Sequence, residues 1–207
     1  MTDREYLIQL RNPTKDNPLR ILMSACLSGT NCGYDGTANG EYPSALKILK
    51  YETVKVVRFC PEDFSFGSPR EMCDIHGGTG FDVLEGKAKL LTESGKDWTE
   101  GIIKASEKML EIAKQENIEL AVLMDISAAC GSQVIYDGSR FSENKVYQIG
   151  AGVAAAQLIK NGFKVISQRD YASLEILYSK IDPKHQIDKT KMDHHEIDWY
   201  KKHFKIS

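Results

Sequence analysis

Three cysteines in this chain occupy corresponding positions, each just beyond a short apolar segment. Cys26 follows "ILM", Cys60 follows "VKVVRF", and Cys130 follows "ELAVLM" by a few residues. Thiolates are soft ligands that suit zinc or an iron–sulfur cluster, and three of them leave one of the usual four coordination positions open. If the three thiols meet, the sequence therefore predicts a metal or cluster site with room for a substrate.

Whether the thiols meet depends on the elements that carry them. Four segments are short, apolar or β-branched and free of internal Gly and Pro, which is typical of buried parallel strands. These segments are "ILMSA", "VKVVRF", "ELAVLM" and "FKVIS". Because parallel strands end at the same edge of a sheet, residues just past their carboxyl ends converge there. We expect Cys26, Cys60 and Cys130 to share one crevice at that edge.

Helix-like stretches alternate with the predicted strands. Their apolar residues recur at helical spacing over 43–51, 96–116 and 151–160. The alternation predicts an α/β fold, namely a doubly wound, mostly parallel sheet with helices on both faces. The segment "GAGVAA" superficially matches a dinucleotide-binding glycine pattern, but no strand precedes it within a βαβ unit, so helix packing explains it better.

We divide the chain into an N-terminal extension over 1–20, an α/β domain over 21–169 and a C-terminal helical extension over 170–207. The extension should hold a helix at 171–180, then one amphipathic helix in "KTKMDHHEIDWYKKHF" with the His194–His195 pair on its solvated face. Between the second and third strands, 64–96 is rich in glycine and turn residues. Long irregular segments of compact domains often cover a site, so we expect this one to do so.

Two more cysteines are less informative. Cys32 lies six residues after Cys26, but the "GYDG" that follows should carry it into a turn. Cys73 falls in the long irregular segment and has no strand-end position. Free cysteine is often simply a small buried apolar residue, and we predict that neither thiol completes the site.

The residues around the three thiols are candidates for proton transfer and substrate binding. In "CPE", Pro61 stiffens the backbone and confines Glu62, which makes this carboxylate a candidate general acid or base. Ser127 is separated from Cys130 by two alanines, so its hydroxyl could reach the same crevice, although turn serines commonly bond the local backbone. Arg70 in "GSPRE" could hold a carbonyl or anionic group of a substrate.

A short sequence echo links the first and third cysteine regions. Tyr34 and Asp35 precede Gly36 just as Tyr136 and Asp137 precede Gly138. Both segments are typical of turns, with Asp bonding nearby backbone and Gly adopting a positive φ. We expect the turns to shape the walls of the site and place Tyr34 and Asp35, with Arg70, among the substrate-binding residues.

The overall composition limits the possible partners. The 207-residue chain carries a net charge of −2 and is 42% hydrophobic. Such a charge gives no electrostatic basis for binding a large nucleic acid. The charged, proline-containing first segment is not a signal peptide, and no apolar run is long enough to span a bilayer. We therefore expect a cytoplasmic monomer or homodimer that acts on a small molecule without a membrane partner.

Taken together, these motifs resemble the thiouracil desulfidase family of iron–sulfur enzymes, formerly a domain of unknown function. The resemblance runs from about residue 21 to 167 and rests on motifs in a fixed order, namely "SACLSG" with "YDG", "CPE", "SPR", "SAACGS" to "IYDG", and "GAGVAAAQLIKNGFKV". Where many members have Ser-Pro-Ser-Cys, this chain has "SAAC". The resemblance implies a cytoplasmic enzyme that replaces the sulfur of a thiolated pyrimidine by oxygen and releases sulfide without net redox change.

The resemblance also implies roles for individual residues. Cys26, Cys60 and Cys130 would hold a 4Fe-4S cluster whose fourth iron has no protein ligand and takes the sulfur of the substrate. Glu62 would be the catalytic carboxylate and Ser127 the catalytic hydroxyl. The substrate would be a thiolated nucleobase or nucleoside, with the position of its sulfur left open.

Two other classes of protein fit the same residues. An iron–sulfur electron carrier or redox sensor would use Cys32 as a fourth ligand and need no substrate pocket. A non-catalytic metal-binding module, with structural zinc for example, would hold metal but no iron. The three strand-end thiols beside Glu62 favour the enzyme.

Overall fold

A four-stranded parallel sheet forms the centre of the protein in the computed structural model, which describes residues 3–38 and 42–206. The strands are β1 Leu19–Ser24, β2 Val54–Phe59, β3 Cys73–His76, β4 Lys89–Thr92, β5 Leu120–Leu123, β6 Val134–Asp137, β7 Val146–Ile149 and β8 Val165–Ser167. The central sheet has the order β2-β1-β5-β8, and its four strands are the four predicted from their apolar composition. The sheet therefore confirms the predicted parallel arrangement.

Helices connect and cover these strands. They are α1 Asp3–Gln9, α2 Pro43–Ile48, α3 Pro61–Phe66, α4 Gly80–Leu84, α5 Thr99–Gln115, α6 Val153–Lys160, α7 Tyr171–Ile181 and α8 Asp198–Phe204, with 3-10 turns at Ala25–Ser28 and His194–Glu196. The predicted helices over 43–51, 96–116, 151–160 and 171–180 correspond to α2, α5, α6 and α7. Within the described residues, no helix has the length and apolar character that crossing a membrane requires.

Alternate side chains of the sheet feed two separate cores. Leu22 of β1 points into the core that also holds buried residues of α5 and α6. Its neighbours Ile21 and Met23 point into the other core, together with buried residues of α1, α2 and α7. This alternation follows from the two-residue period of a strand. Helices therefore cover both faces of the sheet, as the sequence pattern predicts.

Two small two-stranded antiparallel sheets lie where the sequence indicates only irregular structure and turns. β3 pairs with β4 inside the segment 64–96, and β6 pairs with β7. Tyr136 and Asp137 are thus strand residues. Of the three residues 136–138, only Gly138 has the positive φ of a turn, at 77°. Strands of four residues are too short to show a reliable period of two, which explains why they were not predicted.

The C-terminal segment also differs from the prediction. Instead of one amphipathic helix, it contains a 3-10 turn at His194–Glu196 and a shorter helix, α8. Asp193 and Glu196 form a capping box that starts a new element at this point. The prediction that His194 and His195 share a solvated face is wrong for His194, whose side chain is buried. Its buried contact with Asp125 outweighs the helical pattern of the sequence.

The start of α6 packs against the loop that carries Cys130 with almost no space between the two backbones. A Cβ on Gly152 would lie 2.6 Å from the carbonyl oxygens of Ser127 and Ala128. Real Cβ atoms do not approach backbone oxygen so closely, so this position accepts only glycine. The "GAGVAA" segment therefore owes its glycines to close packing against the loop, as the sequence interpretation expects.

We predict that Gly152→Ala lowers the free energy of unfolding by about 2 kcal/mol, because the added methyl group forces the α6 and Cys130 backbones apart. Urea denaturation measures this as a lower transition midpoint with an unchanged slope. Lys160→Ala, at an exposed position of the same helix, should leave the free energy of unfolding within about 0.5 kcal/mol of that of the unmodified protein. Equal midpoints for Gly152→Ala and the unmodified chain would contradict the close packing.

Candidate cluster and active site

A cavity opens at the carboxyl edge of the central sheet. The empty space in it, open solvent at its mouth included, is about 690 Å³. Its walls come from the segments after β1, β2 and β5 and from the β3 and β6–β7 regions. Its lining residues include Cys26, Cys32, Tyr34, Cys60, Glu62, Arg70, Met72, Cys73, Ser127, Cys130 and Arg140.

Each of the three strand-end cysteines reaches the cavity from a different element. Cys26 lies in the 3-10 turn that follows β1. Cys60 is the N-cap residue of α3, directly after β2, and its sulfur accepts a hydrogen bond from the Asp63 amide at 3.4 Å. Cys130 lies in the loop after β5. The side-by-side order β2-β1-β5 brings these three segments together at one edge.

The other two cysteines line the same cavity. The expectation that the "GYDG" turn carries Cys32 away is wrong, because its side chain contacts those of Cys26 and Cys60. The Cys60 thiol also donates a hydrogen bond to the Cys32 carbonyl, with 3.8 Å between Sγ and O. Cys73 is the first residue of β3, a strand that the sequence pattern did not reveal. The spacing of the cysteines in the sequence does not indicate that Cys32 and Cys73 line the cavity, because both positions depend on how the loops fold over the edge of the sheet.

The environment of these thiols favours their neutral form. Hydrogen bonding with the Cys26 side chain raises the pKa of Cys32 to about 11. Hydrogen bonding with Cys32, together with burial, raises the pKa of Cys60, and burial raises the pKa of Cys130. A metal must displace these protons, because thiolate and not thiol is the ligand form.

Glu62 and Ser127 meet inside the cavity. The Ser127 hydroxyl donates to the Glu62 carboxylate, with 3.4 Å between Ser127 Oγ and Glu62 Oε1. The same Oγ accepts the amides of Ala129 at 3.3 Å and Cys130 at 3.1 Å. Ser127 is therefore both a turn serine that bonds the local backbone and a hydroxyl that reaches the cavity. The pair places a carboxylate and a hydroxyl next to the thiol-bearing loop.

Arg70 fixes the Glu62 carboxylate. Its Nη2 and Nε donate to Glu62 Oε2 at 3.0 and 3.3 Å, while Nη1 lies 3.0 Å from the carbonyl oxygens of Cys32 and Gly67. The side chain of Arg70 is only 4% exposed. Most of its donors are therefore used within the protein, and the guanidinium acts as a bracket between α3 and the Cys32 loop.

Arg140 is a second cavity arginine, and the sequence interpretation did not single it out. Its Nε and Nη2 are held by Asp74, with Nη2 2.6 Å from Oδ1. The only hydrogen-bond partner of its Nη1 among the described residues is the Met72 sulfur at 3.8 Å. That edge of the guanidinium remains available to a ligand. Arg140 follows the β6 strand, so its placement depends on a hairpin that the sequence pattern did not indicate.

Tyr34 and Asp35 differ in their relation to the cavity. Tyr34 lines it and is 42% exposed, which places it near the opening. Asp35 is exposed and lies outside the cavity lining, and its Oδ1 accepts the Thr37 amide at 3.0 Å and the Thr37 hydroxyl at 2.8 Å. Asp35 thus performs the turn role expected of it, with Gly36 at a φ of 79°.

The fold and the site together define an α/β domain whose parallel strands end at a cavity lined with thiols, a carboxylate and a hydroxyl. The sequence profile of the 2-thiouracil desulfurase family matches residues 21–170, so the chain belongs to that family. It is similar to the solved structure of the 4Fe-4S-dependent thiouracil desulfidase TudS (DUF523Vcz), with 31% identity and a TM-score of 0.63. That match covers 78% of this chain and 98% of the TudS chain.

The chain is also similar to the uncharacterized protein YbbK of Bacillus subtilis (strain 168). The two sequences are 43% identical over 152 residues, which is 72% of this chain and 96% of YbbK. Both relatives are thus matched over nearly their full length by a part of this chain. The expected family and the expected α/β fold are confirmed by these similarities.

We predict that, in the metal-free protein, the alkylation rate of Cys32 by iodoacetamide rises about tenfold per pH unit up to roughly pH 10, because only the thiolate reacts. The physical reason is its pKa of about 11. Peptide mass spectrometry reads out the modified fraction. Cys26→Ala, which removes the hydrogen bond that raises this pKa, should shift the profile to lower pH. A rate that levels off below pH 9 in the unmodified protein would contradict the assignment.

Proposed function

We propose that the protein is a desulfidase that converts a thiolated pyrimidine into its oxo form and releases sulfide, without net redox change. The observation that carries the proposal is the convergence of three strand-end thiols with the hydrogen-bonded Glu62–Ser127 pair in one cavity. Family membership and the similarity to the thiouracil desulfidase TudS support it. We assign a 4Fe-4S cluster to Cys26, Cys60 and Cys130, with one iron left open to the substrate.

The donor set fits such a cluster. Soft thiol sulfur is the ligand type that iron–sulfur clusters require, and the five free cysteines of the chain all line this cavity. The three proposed ligands come from separate strand ends, so their thiols approach the cavity from different sides. Cys60 has in addition the Asp63 amide as a hydrogen-bond donor, which stabilises negative charge on sulfur.

The reaction exchanges one C=S bond and one water for one C=O bond and hydrogen sulfide. When bound, the cluster supplies a thiophilic Lewis acid for the departing sulfur. Glu62 Oε1 is placed to accept a proton from the attacking water and to return it to the leaving group. The Ser127 hydroxyl, fixed by the Cys130 amide and by Glu62, orients that water toward the ring carbon.

Two arginines divide the remaining tasks. We assign Arg70, predicted from the sequence as a substrate ligand, to holding Glu62 in place, because its donors are engaged there. We assign the Nη1 edge of Arg140, whose only partner among the described residues is the Met72 sulfur, to an exocyclic oxygen of the pyrimidine, with Tyr34 beside the cavity mouth. Guanidinium groups donate well to such carbonyl oxygens.

The proposal predicts sulfide release from 2- or 4-thiouracil after anaerobic cluster reconstitution. Glu62→Gln and Ser127→Ala should keep the iron content and visible spectrum while lowering turnover at least ~10²-fold, the usual scale for losing a positioned proton-transfer group. Asp63→Asn, which changes a neighbouring carboxylate of α3 that does not line the cavity, is the matched control and should stay within about threefold of the unmodified rate. Near-normal turnover by Glu62→Gln would remove Glu62 from the mechanism.

Cluster assembly is tested separately from chemistry. Cys26→Ser, Cys60→Ser and Cys130→Ser should each lower bound iron and turnover together, because a hydroxyl is a hard, rarely ionised ligand. Cys73→Ser is the control, since this thiol also lines the cavity but lies on β3 away from the parallel strand ends. Iron analysis with the visible absorption spectrum gives the result. Full iron content after loss of any of the three assigned thiols would overturn the ligand set.

An electron-transfer or redox-sensing role is the second candidate, because the Cys32 side chain contacts Cys26 and Cys60 and could serve as a fourth ligand. The Cys32→Ala variant separates the two functions. A desulfidase with three ligands should retain its iron and respond to thiouracil by a change in cluster absorption. Loss of iron in this variant, with no spectral response of the unmodified protein to thiouracil, would favour the electron carrier.

A further inference from the structure

Asp125 organises the loop that carries two of the proposed site residues. It lies just beyond β5 and is 2% exposed. Its Oδ1 accepts the amides of Ser132 at 3.2 Å and of Gln133 and Val134 at 3.3 Å. The loop 125–134 therefore closes on a single carboxylate oxygen.

This loop holds a conformation that needs such support. Ile126 has a φ of 56°, a left-handed backbone conformation that is costly for a β-branched residue. The next residue is Ser127, and Cys130 follows within the same loop. The hydrogen bonds of Asp125 thus fix a strained backbone at the point where Ser127 and Cys130 must face the cavity.

The other oxygen of Asp125 is held by a residue from the C-terminal segment. His194 Nδ1 lies 2.6 Å from Asp125 Oδ2, and the two side chains are 1% and 0% exposed. Because the carboxylate already accepts three amides on Oδ1, Nδ1 is the donor in this pair. The ring of His194 is stacked on Trp199, with 5.6 Å between ring centroids and 4° between their planes.

The pair is retained although it leaves a buried nitrogen unpaired. His194 Nε2 is buried and has no hydrogen-bond partner among the described residues. An unpaired buried polar atom costs free energy that an apolar side chain would not. An apolar side chain would be sufficient for packing at position 194. A hydrogen-bond donor is needed there only because the buried Asp125 carboxylate requires a partner for Oδ2.

His194 is also outside the shared part of the family. The family match ends at residue 170, and the matched parts of TudS and YbbK already account for 98% and 96% of those chains. The shared domain supplies Asp125, while the C-terminal segment of this chain supplies the group that completes its hydrogen bonding. The Asp125–His194 pair thus joins a residue of the family match to one that lies beyond it.

We propose that His194 is a positioning residue of the active site, which acts through Asp125 to hold Ser127 and Cys130 in their cavity-facing geometry. This inference rests on the proposed function for its catalytic consequence. Without the Nδ1 donor, Asp125 Oδ2 is a buried carboxylate oxygen without a partner. The carboxylate then shifts or takes up water, and its bonds to the 132–134 amides weaken.

The test compares His194→Ala with His194→Asn, whose side-chain amide restores a donor near the position of Nδ1. His194→Ala should raise hydrogen exchange at the Ser132, Gln133 and Val134 amides by about tenfold or more. In the reconstituted protein it should lower kcat by about tenfold, change KM less, and alter the visible circular dichroism of the cluster. His194→Asn should recover most of the exchange protection and of kcat.

His185→Ala is the matched control. His185 Nε2 pairs with Glu175 Oε2 at 2.7 Å in the same C-terminal region, and that oxygen also accepts the Asp188 amide at 2.9 Å. This variant should raise exchange near Asp188 and leave the 132–134 amides and kcat unchanged. All rates are measured well below the unfolding midpoint of each variant.

The outcomes are distinct. Unchanged exchange at 132–134 in His194→Ala, the same change in His185→Ala, or no recovery by His194→Asn would each overturn the positioning role. Hydrogen exchange does not depend on turnover, so it tests the positioning role even in a protein that releases no sulfide. A failure of the unmodified protein to desulfurise thiopyrimidines would contradict the proposed function alone.

Discussion

The parallel pairing of β1 with both β2 and β5 is the constraint on which the site depends. This arrangement ends three strands at one edge, so that Cys26, Cys60 and Cys130 face one cavity although the first and last are about a hundred positions apart in sequence. The hydrogen bonds between the strands fix the positions of their backbones, and therefore also the positions of the first few residues beyond each strand. A site on such positions is more rigid than one built from free loops.

Around this edge of the sheet, two arginine–carboxylate pairs connect the segments that form the cavity walls. Arg70 connects α3 to the Cys32 loop through Glu62, and Arg140 connects the β6–β7 region to β3 through Asp74. Each of these groups is largely removed from water, so an unmade bond would be expensive. The polar network therefore gives a single arrangement to a cavity whose walls come from five separate segments.

The sequence predicts the central sheet well because its strands lie in continuous runs of mostly apolar or β-branched residues, and because helices with a clear period alternate with them. The strand-end rule then brings Cys26, Cys60, Cys130, Glu62 and Ser127 together without any knowledge of side-chain contacts. What it misses depends on short or non-periodic structure. Cys32 reaches the cavity through a loop, and Arg140 reaches it through the β6–β7 hairpin, whose two strands have four residues each. His194 is buried by a contact with a residue 69 positions away.

The two ends of the chain meet in space. Arg4 of α1 pairs with Asp193, 2.8 Å from Nε to Oδ2, and with Glu196, while α1 packs beside α7. Arg4, Asp193 and Glu196 all lie outside residues 21–170, the part of the chain that matches the family. The first helix and the last segment are consequently held to each other, so truncation at one terminus removes ion-pair contacts of the other. A fusion tag or a deletion at one end should thus be judged by its effect on the opposite end as well.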